Sequence, residues 1–170
     1  MKKMMLSVCF ILMAGNAVAS DGTIHFTGTI SDQTCNVDST AQDLNVMLGT
    51  VSQSTFAGIA GTSAAPTKFT LSLTGCPDTI TGANVKFDGT PDAVNPHLLA
   101  LDSETGSATG VGIEIADKNG AEIPLQTASS DYALEEGANT LDFIARYVST
   151  AASVGPGKAD ATSQFTINYK

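Results

Sequence analysis

Cysteines and histidines are the residues whose chemistry could give this 170-residue chain a site. Of the three cysteines, Cys9 lies in an apolar N-terminal stretch, so Cys35 and Cys76 are the pair to explain. They form no C-x-x-C motif, and neither has a histidine near it in the sequence, as a redox centre or a zinc site would require. His25 and His97 are far apart, and we expect both to be exposed and to lack a partner for base or metal chemistry. A disulfide is the chemistry that remains, with two free buried thiols as the alternative.

Motifs for catalysis or nucleotide binding are missing from the sequence. It contains no G-x-S-x-G, Walker or dinucleotide-binding glycine pattern. The stretch DKNG at 117–120 lacks most positions of a calcium loop, so it is better explained as a turn. A net charge of −9 at pH 7 opposes binding to nucleic acid. We therefore predict no enzyme activity, no cofactor, no metal site and no nucleic-acid partner.

The first residues of the chain predict export. Two lysines precede an apolar run over 4–13, and Ala-Val-Ala at 17–19 has the small residues of a cleavage site. The apolar run is too short to span a membrane. We predict a signal peptide at 1–19 and a mature chain that begins at Ser20. Export to an oxidising compartment favours the disulfide over free thiols.

The mature chain shows the alternation of apolar and polar residues that is typical of β-strands. This alternation is found in the segments 44–48, 68–76, 83–89, 110–125 and 139–150. Asn119-Gly120 lies between alternating arms and predicts a two-residue hairpin turn. The segment 52–66 could hold a turn of helix or be a loop, and no amphipathic helix is evident. Short strands with frequent turns, in a chain of this length, predict a single all-β sandwich domain.

Alternating segments also lie at both ends of the mature chain. The N-terminal segment places four residues on one face: Ile24, Phe26, Gly28 and Ile30. A glycine inside a strand weakens it and indicates that another backbone comes close. The C-terminal segment likewise has an apolar face: Phe165, Ile167 and Tyr169. Periodicity alone does not decide whether residues 23–30 pair within their own chain or with a second one.

Several motifs in a fixed order resemble the type 1 fimbrial pilins, the family assembled by the chaperone–usher pathway. These motifs, in chain order, are the signal peptide, the arm GTIHFTGTIS, Cys35 followed by NVD, Cys76 within LTGCP, the segment FIARYVST, Gly157 as the fourteenth residue from the end, and Tyr169 as the penultimate residue. The resemblance covers essentially all of the mature chain. Each motif is weak alone, and their order and spacing make the combination specific.

The resemblance implies an incomplete immunoglobulin-like sandwich, the pilin fold, which a donor strand from another subunit completes in trans. An arm at 20–34 would supply that strand, and the pilin domain would occupy 35–170. The donor residues would be Ile24, Phe26, Gly28 and Ile30, with the glycine where the groove leaves no room for a side chain. The groove edge that a chaperone engages would comprise Gly157, Phe165, Ile167, Tyr169 and Lys170.

The same resemblance implies a function and a set of partners. The chain would be a structural subunit of a fimbria that polymerises by donor-strand exchange and supports cell adhesion. Its partners would be identical or related pilin subunits, a periplasmic chaperone that binds the Lys170 carboxylate through basic residues, and an outer-membrane usher. The chain would be exported through the periplasm to an extracellular fimbria. The alternatives are a minor or adaptor pilin and a self-contained secreted immunoglobulin-like binding domain; a tip adhesin would need an extra lectin domain, for which the chain is too short.

Overall fold

The computed structural model describes residues 24–28 and 34–170. In the second range the chain forms seven β-strands, a one-turn α-helix and a 3-10 turn. The strands are β1 (Asn36–Val37), β2 (Ser63–Cys76), β3 (Gly82–Asp88), β4 (Val111–Asp117), β5 (Tyr132–Ala133), β6 (Gly137–Ser149) and β7 (Gln164–Tyr169). The helix α1 spans Ser39–Gln42, and the 3-10 turn spans Gln53–Phe56. Among these residues no helix is long and apolar enough to cross a membrane.

The strands form two sheets that face each other. One sheet has the order β1-β2-β6-β4 and the other the order β5-β3-β7. Every strand pair in both sheets is antiparallel. Phe143 of β6 bridges the two sheets, because its ring centroid lies 5.4 Å from that of Phe69 in β2 and 5.1 Å from that of Phe87 in β3. The all-β class predicted from the sequence is confirmed.

Period-two alternation explains why the central strands form and what they bury. Leu71 and Leu73 of β2 and Leu141 and Phe143 of β6 are each no more than 1% exposed. Leu71 is paired directly with Leu141, and Phe69 with Phe143. Burying one such side chain contributes about 1.5–3 kcal/mol, so this pair of strands anchors the core.

The sandwich has two distinguishable ends. At the disulfide end, Cys76 pairs with Gly137 where β2 meets β6, and Cys76 is bonded to Cys35. The Tyr169 hydroxyl donates to the Cys35 carbonyl oxygen over 3.4 Å, so the last residue of β7 lies at this end as well. The opposite end is where Ser63 of β2 pairs with Val148 of β6. Strand β7 therefore runs from the opposite end toward the disulfide end.

The turn at Asn119-Gly120 differs from the sequence prediction. The amide of Asp117 donates to the carbonyl oxygen of Ala121, which leaves a three-residue loop at 118–120 rather than a two-residue turn. One carboxylate oxygen of Asp117 accepts from the amides of Asn119 and Ala121. Gly120 takes a positive φ of 85°, as the last residue of a three-residue hairpin loop commonly does. The side chain of Asp117 favours this longer loop, and the prediction of a two-residue turn was wrong.

Two further segments have structures that the sequence did not fully predict. Residues 44–48, predicted as a strand, form no backbone hydrogen bond with another described residue. The segment 52–66, for which the sequence allows a turn of helix or a loop, divides into the 3-10 turn, in which Phe56 is buried, and the start of β2. A register shift between Ala64 and Thr67 separates that start from the regular part of β2.

Candidate functional site

An open slot lies between β7 and the segment 43–48. In the part of the chain that the structure describes, β7 pairs only with β3, so its second edge has no partner. On the other side, residues 44–48 have no backbone hydrogen bond to any described residue. A space of about 1020 Å³ separates the two sides. We call this space the slot.

The floor of the slot is part of the hydrophobic core. Apolar side chains from both sheets line it: Phe69, Leu71, Phe87, Leu99, Ile113, Ile115 and Ala145. Apolar side chains of its two sides also line it: Leu44, Val46, Leu48 and Phe165. An apolar floor between two strand edges without partners is a site for strand addition, since the backbone supplies hydrogen bonds and the floor accepts alternate side chains.

The predicted groove-edge residues of β7 share one face. Phe165, Ile167 and Tyr169 are each half-buried and pack against the core. Phe165 also lines the slot, and Tyr169 is held at the disulfide end by its hydroxyl contact with Cys35. The outward residues of the same strand, Gln164, Thr166 and Asn168, are exposed. One face of β7 therefore belongs to the core and contributes to the wall of the slot.

Lys170 is held by its own chain. Its main-chain oxygen accepts from the amides of Thr81 and Gly82 at 3.0 and 3.4 Å. Its Nζ lies 2.6 Å from both carboxylate oxygens of Asp131. The hydrogen bond from Lys170, followed by one from Asn84, holds the pKa of Asp131 below its usual value. These contacts fix the end of β7, while capture of the Lys170 carboxylate by a chaperone stays a prediction.

Gly157 lies outside the lining of the slot. It sits where the segment 155–158 crosses the segment 106–109, which are joined by bridges between Thr109 and Gly155 and between Ser107 and Lys158. A Cβ at Gly157 would lie within 3.0 Å of backbone atoms of the segment 106–108. The structure therefore explains a glycine here by close backbone packing.

Replacing Gly157 by alanine should destabilise the subunit, because the clashing atoms are backbone and cannot rotate away. Overpacking of this kind costs about 1–3 kcal/mol. Gly155→Ala is the matched control, since its Cβ would meet mainly the side-chain hydroxyl of Thr109 and should cost less. Guanidinium unfolding of both variants measures the difference. Equal midpoints for Gly157→Ala and the wild type would contradict the packing explanation.

The described part of the predicted arm, residues 24–28, contains no strand. Ile24 is 79% exposed and Phe26 is 90% exposed. A Cβ added at Gly28 would meet no atom within 4 Å. Ile30 lies outside the described residues. The described part of the arm thus presents two large apolar side chains to solvent.

Neither histidine lies in a catalytic arrangement. His25 and His97 are both exposed, as expected. His97 lies beside a carboxylate, since its Nδ1 is 3.5 Å from Glu122. Both side chains of that pair are open to solvent, and the described residues contain no cluster of potential metal ligands.

Cys35 and Cys76 are joined in a disulfide, the pairing that the sequence predicted. Both are buried, at 4% and 2% exposure, and the bond links the chain just before β1 to the last residue of β2. Val37 of β1 pairs with Leu73 of β2 beside it. The bond therefore fixes the root of the N-terminal segment to the centre of the four-stranded sheet.

Reduction of this disulfide should lower stability substantially. Its 41-residue separation corresponds to about 3–4 kcal/mol in the chain-entropy description. We expect guanidinium unfolding of the purified subunit to shift to a clearly lower midpoint in the presence of reductant. The double variant Cys35→Ser with Cys76→Ser should unfold like the reduced protein and should not respond to reductant. An unchanged midpoint on reduction would contradict a stabilising bond.

Sequence reasoning missed several parts of the slot. Leu99, Ile113 and Ile115 reach its floor from strands and loops that are distant in the sequence. The alternation of Leu44, Val46 and Leu48 in the segment 43–48 was visible, and Val46 and Leu48 do pack against the core, whereas Leu44 is exposed. It could not show that the segment lacks a partner, because alternation reports which face is buried and not what lies at the edge.

Comparison with known proteins gives consistent matches. The model of the family described as "Fimbrial protein" matches residues 24–170. A type-1 fimbrial protein subunit of Serratia marcescens is 39% identical over 183 residues, which cover 100% of both chains. The crystal structure of a type I fimbria protein and antigen of Burkholderia pseudomallei is 37% identical, covers 82% of this chain and 91% of that one, and superposes with a TM-score of 0.62. The P pilus rod subunit PapA, at 19% identity, shares the fold with a TM-score of 0.67 over 80% of this chain and 99% of its own.

These matches agree with the features found in the chain itself. The family match begins at Ile24 and so includes the exposed N-terminal segment together with the sandwich. The identity to the Serratia subunit extends over the full length of both proteins. The chain belongs to the fimbrial protein family and is a structural pilin subunit of a fimbria.

Proposed function

We propose that this subunit polymerises by donor-strand exchange, in which residues 20–34 of one copy enter the slot of the next copy. The observation that carries the proposal is the slot itself, with its apolar floor between two edges that lack described partners. An exposed edge beside exposed core is a hazard for aggregation unless another strand covers it. Association with related pilin subunits is what the family relationship supports, and strand insertion is its physical mechanism here.

The arm and the slot have complementary patterns. Ile24 and Phe26 point to one side of an extended strand, and Gly28 follows on the same side. The slot offers large apolar side chains, among them Phe69, Phe87 and Phe165. A strand inserted here could bond to β7 through its backbone and bury its apolar face on the floor. Because each copy offers one arm and one slot, the contact is head-to-tail and builds an open filament.

The self-contained binding domain is the competing function, and the slot argues against it. A closed sandwich would cover the floor with a strand of its own, yet the described body leaves both edges of the slot without a partner. Pairing of residues 23–30 within the same chain remains the alternative that an experiment must exclude. The trans arrangement accounts for the slot and for filament growth together.

The proposal includes a route to the cell surface. Residues 1–19 direct export, and a periplasmic chaperone covers the slot with a strand of its own until the arm of another subunit replaces it at the outer-membrane usher. Phe165, Ile167 and Tyr169 form the edge that the chaperone strand contacts, and Lys170 lies at its end. The product is an extracellular fimbria that supports cell adhesion.

Deletion of residues 20–30 behind the signal peptide tests the proposal. Filaments should be lost, because the body keeps its slot and has no arm to fill the slot of a neighbour. The chaperone-bound subunit should remain, since the body and its disulfide are intact. Lys118→Ala, on the exposed hairpin loop, is the control and should give normal filaments. Electron microscopy and co-purification with the chaperone provide the two measurements, and filaments from the deletion variant would overturn strand exchange.

A further inference from the structure

We propose that His25 of one subunit forms an ion pair with Asp43 of the next subunit, and that this contact fixes the direction in which the arm lies in the slot. The inference rests on the strand exchange proposed above. It concerns the polar side of the inserted strand, which the burial of Ile24 and Phe26 does not determine. The partner is a second copy of this chain.

The direction of the arm follows from the sheet it would join. Every strand pair in the sandwich is antiparallel, so an arm that continues the pattern runs antiparallel to β7. Strand β7 runs toward the disulfide end, where Tyr169 contacts Cys35. The arm therefore begins near the disulfide end with Ile24 and continues toward the opposite end.

The segment 43–48 runs in the same direction on the other side of the slot. It follows β1, which pairs with Leu73 close to the disulfide end, and the single turn of α1. Further along the chain, Gly61 donates to the carbonyl oxygen of Ser149 at the opposite end. Asp43 is thus the member of this segment nearest the disulfide end. The start of the arm and the start of the segment 43–48 lie side by side.

The two side chains also point to the same side. When Ile24 and Phe26 face the floor, the intervening His25 faces outward. Val46 and Leu48 are half-buried against the core, whereas Asp43, Leu44, Asn45 and Met47 are exposed, so Asp43 is open to solvent at the rim of the slot. Outward side chains on neighbouring strands are close enough to interact. His25 and Asp43 therefore share the outer face at the same end of the slot.

The charges around the slot leave Asp43 available. It is the only charged residue that lines the slot among those described, and its carboxylate has no hydrogen bond or ion pair with another described residue. The outward side chains of β7, which are Gln164, Thr166 and Asn168, carry no charge. Other charged groups also lie at this end: Asp78, Glu135 and Glu136 follow or precede the residues that pair at the disulfide, Asp38 accepts a hydrogen bond from Thr40, and Lys170 is paired with Asp131.

A cross-strand ion pair makes the filament sensitive to pH. Imidazole carries its positive charge at about pH 5 and is largely neutral at about pH 8. A cross-strand pair of opposite charges contributes up to about 1 kcal/mol, so filaments should dissociate in denaturant about threefold to fivefold more slowly at the lower pH. Asp43→Asn and His25→Gln should each remove that difference, and the double variant should add nothing further.

Cysteine cross-linking tests the contact directly. A subunit that carries His25→Cys and Asp43→Cys should form disulfide-linked multimers when its filaments are oxidised, because a disulfide requires Cα atoms within about 7 Å. Thr29→Cys with Asp43→Cys is the matched control. It should give no multimers if the arm begins at the disulfide end, and preferential cross-linking of this control pair would show the opposite direction and overturn the inference.

The outcomes separate this inference from the proposed function. Wild-type protein that forms no filaments, or filaments from the arm deletion, would overturn strand exchange itself. Two negative results together would overturn only the ion pair, provided that filaments form normally. These results are the absence of a cross-link between positions 25 and 43 and the absence of a pH dependence that Asp43→Asn removes. If the cysteine pair prevents assembly, the pH comparison between the wild type and Asp43→Asn decides alone.

Discussion

Replacing Gly28 by leucine is expected to stop filament formation while leaving the subunit folded and bound to its chaperone. In the proposed strand exchange, Gly28 would be the position on the apolar face of the arm where no side chain enters the slot, whose floor already carries Phe69 and Phe87. Overpacking costs about 1–3 kcal/mol, which lowers an assembly constant by up to about 100-fold per contact. Within its own chain a Cβ at Gly28 meets nothing within 4 Å, so the substitution spares the body.

Thr27→Leu is the control for that experiment. It adds a similar side chain to the same arm, but on the face that points away from the floor. Electron microscopy should show filaments for Thr27→Leu and none for Gly28→Leu, with equal amounts of chaperone-bound subunit. Normal filaments from Gly28→Leu would count against insertion of the arm. Loss of the chaperone-bound subunit would indicate that the arm is an internal strand of its own body.

Fusing a second copy of residues 20–34 behind Lys170 through a flexible linker should convert the subunit into a soluble, stable monomer. The fused strand fills the slot of its own chain, and tethering raises its effective concentration. Burial of its apolar side chains contributes about 1.5–3 kcal/mol each before the cost of ordering the strand. We expect a guanidinium midpoint well above that of the unfused subunit, together with a single monomeric peak in size-exclusion chromatography.

The matched variant of the fusion carries Phe26→Asp in the added copy only. A carboxylate cannot be buried on an apolar floor without a partner, so this variant should lose most of the gain. Equal midpoints for the fusion and its Phe26→Asp variant would show that the added copy does not occupy the slot. The sandwich would need no added strand if the unfused subunit, with its arm deleted, were already monomeric and as stable as the fusion.

The sequence was sufficient for features that depend on neighbouring residues. Alternation located most of β2, β3, β4, β6 and β7, because a half-buried strand repeats every two residues wherever it lies in the sheet. Cysteine count and the export signal predicted the Cys35–Cys76 bond. These inferences need no knowledge of which strands pair, and the structure agrees with them.

Features that depend on distant segments could not be predicted in the same way. The slot exists because the segment 43–48 and β7 lie on opposite sides of one floor, although more than a hundred residues separate them. The family resemblance implies a place for Gly157 at the groove edge, whereas in the structure it lies at a crossing of two backbones and outside the lining of the slot. The hairpin loop was set by the carboxylate of Asp117, which a turn dipeptide does not reveal.

The position of the disulfide has a consequence for filaments under tension. In a filament built by strand exchange, a pulling force enters each body at Cys35, where the arm joins the body. Strand β1 has only two residues and would be peeled away pair by pair. The bond to Cys76 passes the force instead to β2, which is paired with β6 along most of its length. Because the covalent bond transmits the force past β1, the long pair of β2 and β6 resists it in shear. Single-molecule pulling should therefore show that reductant lowers the unfolding force.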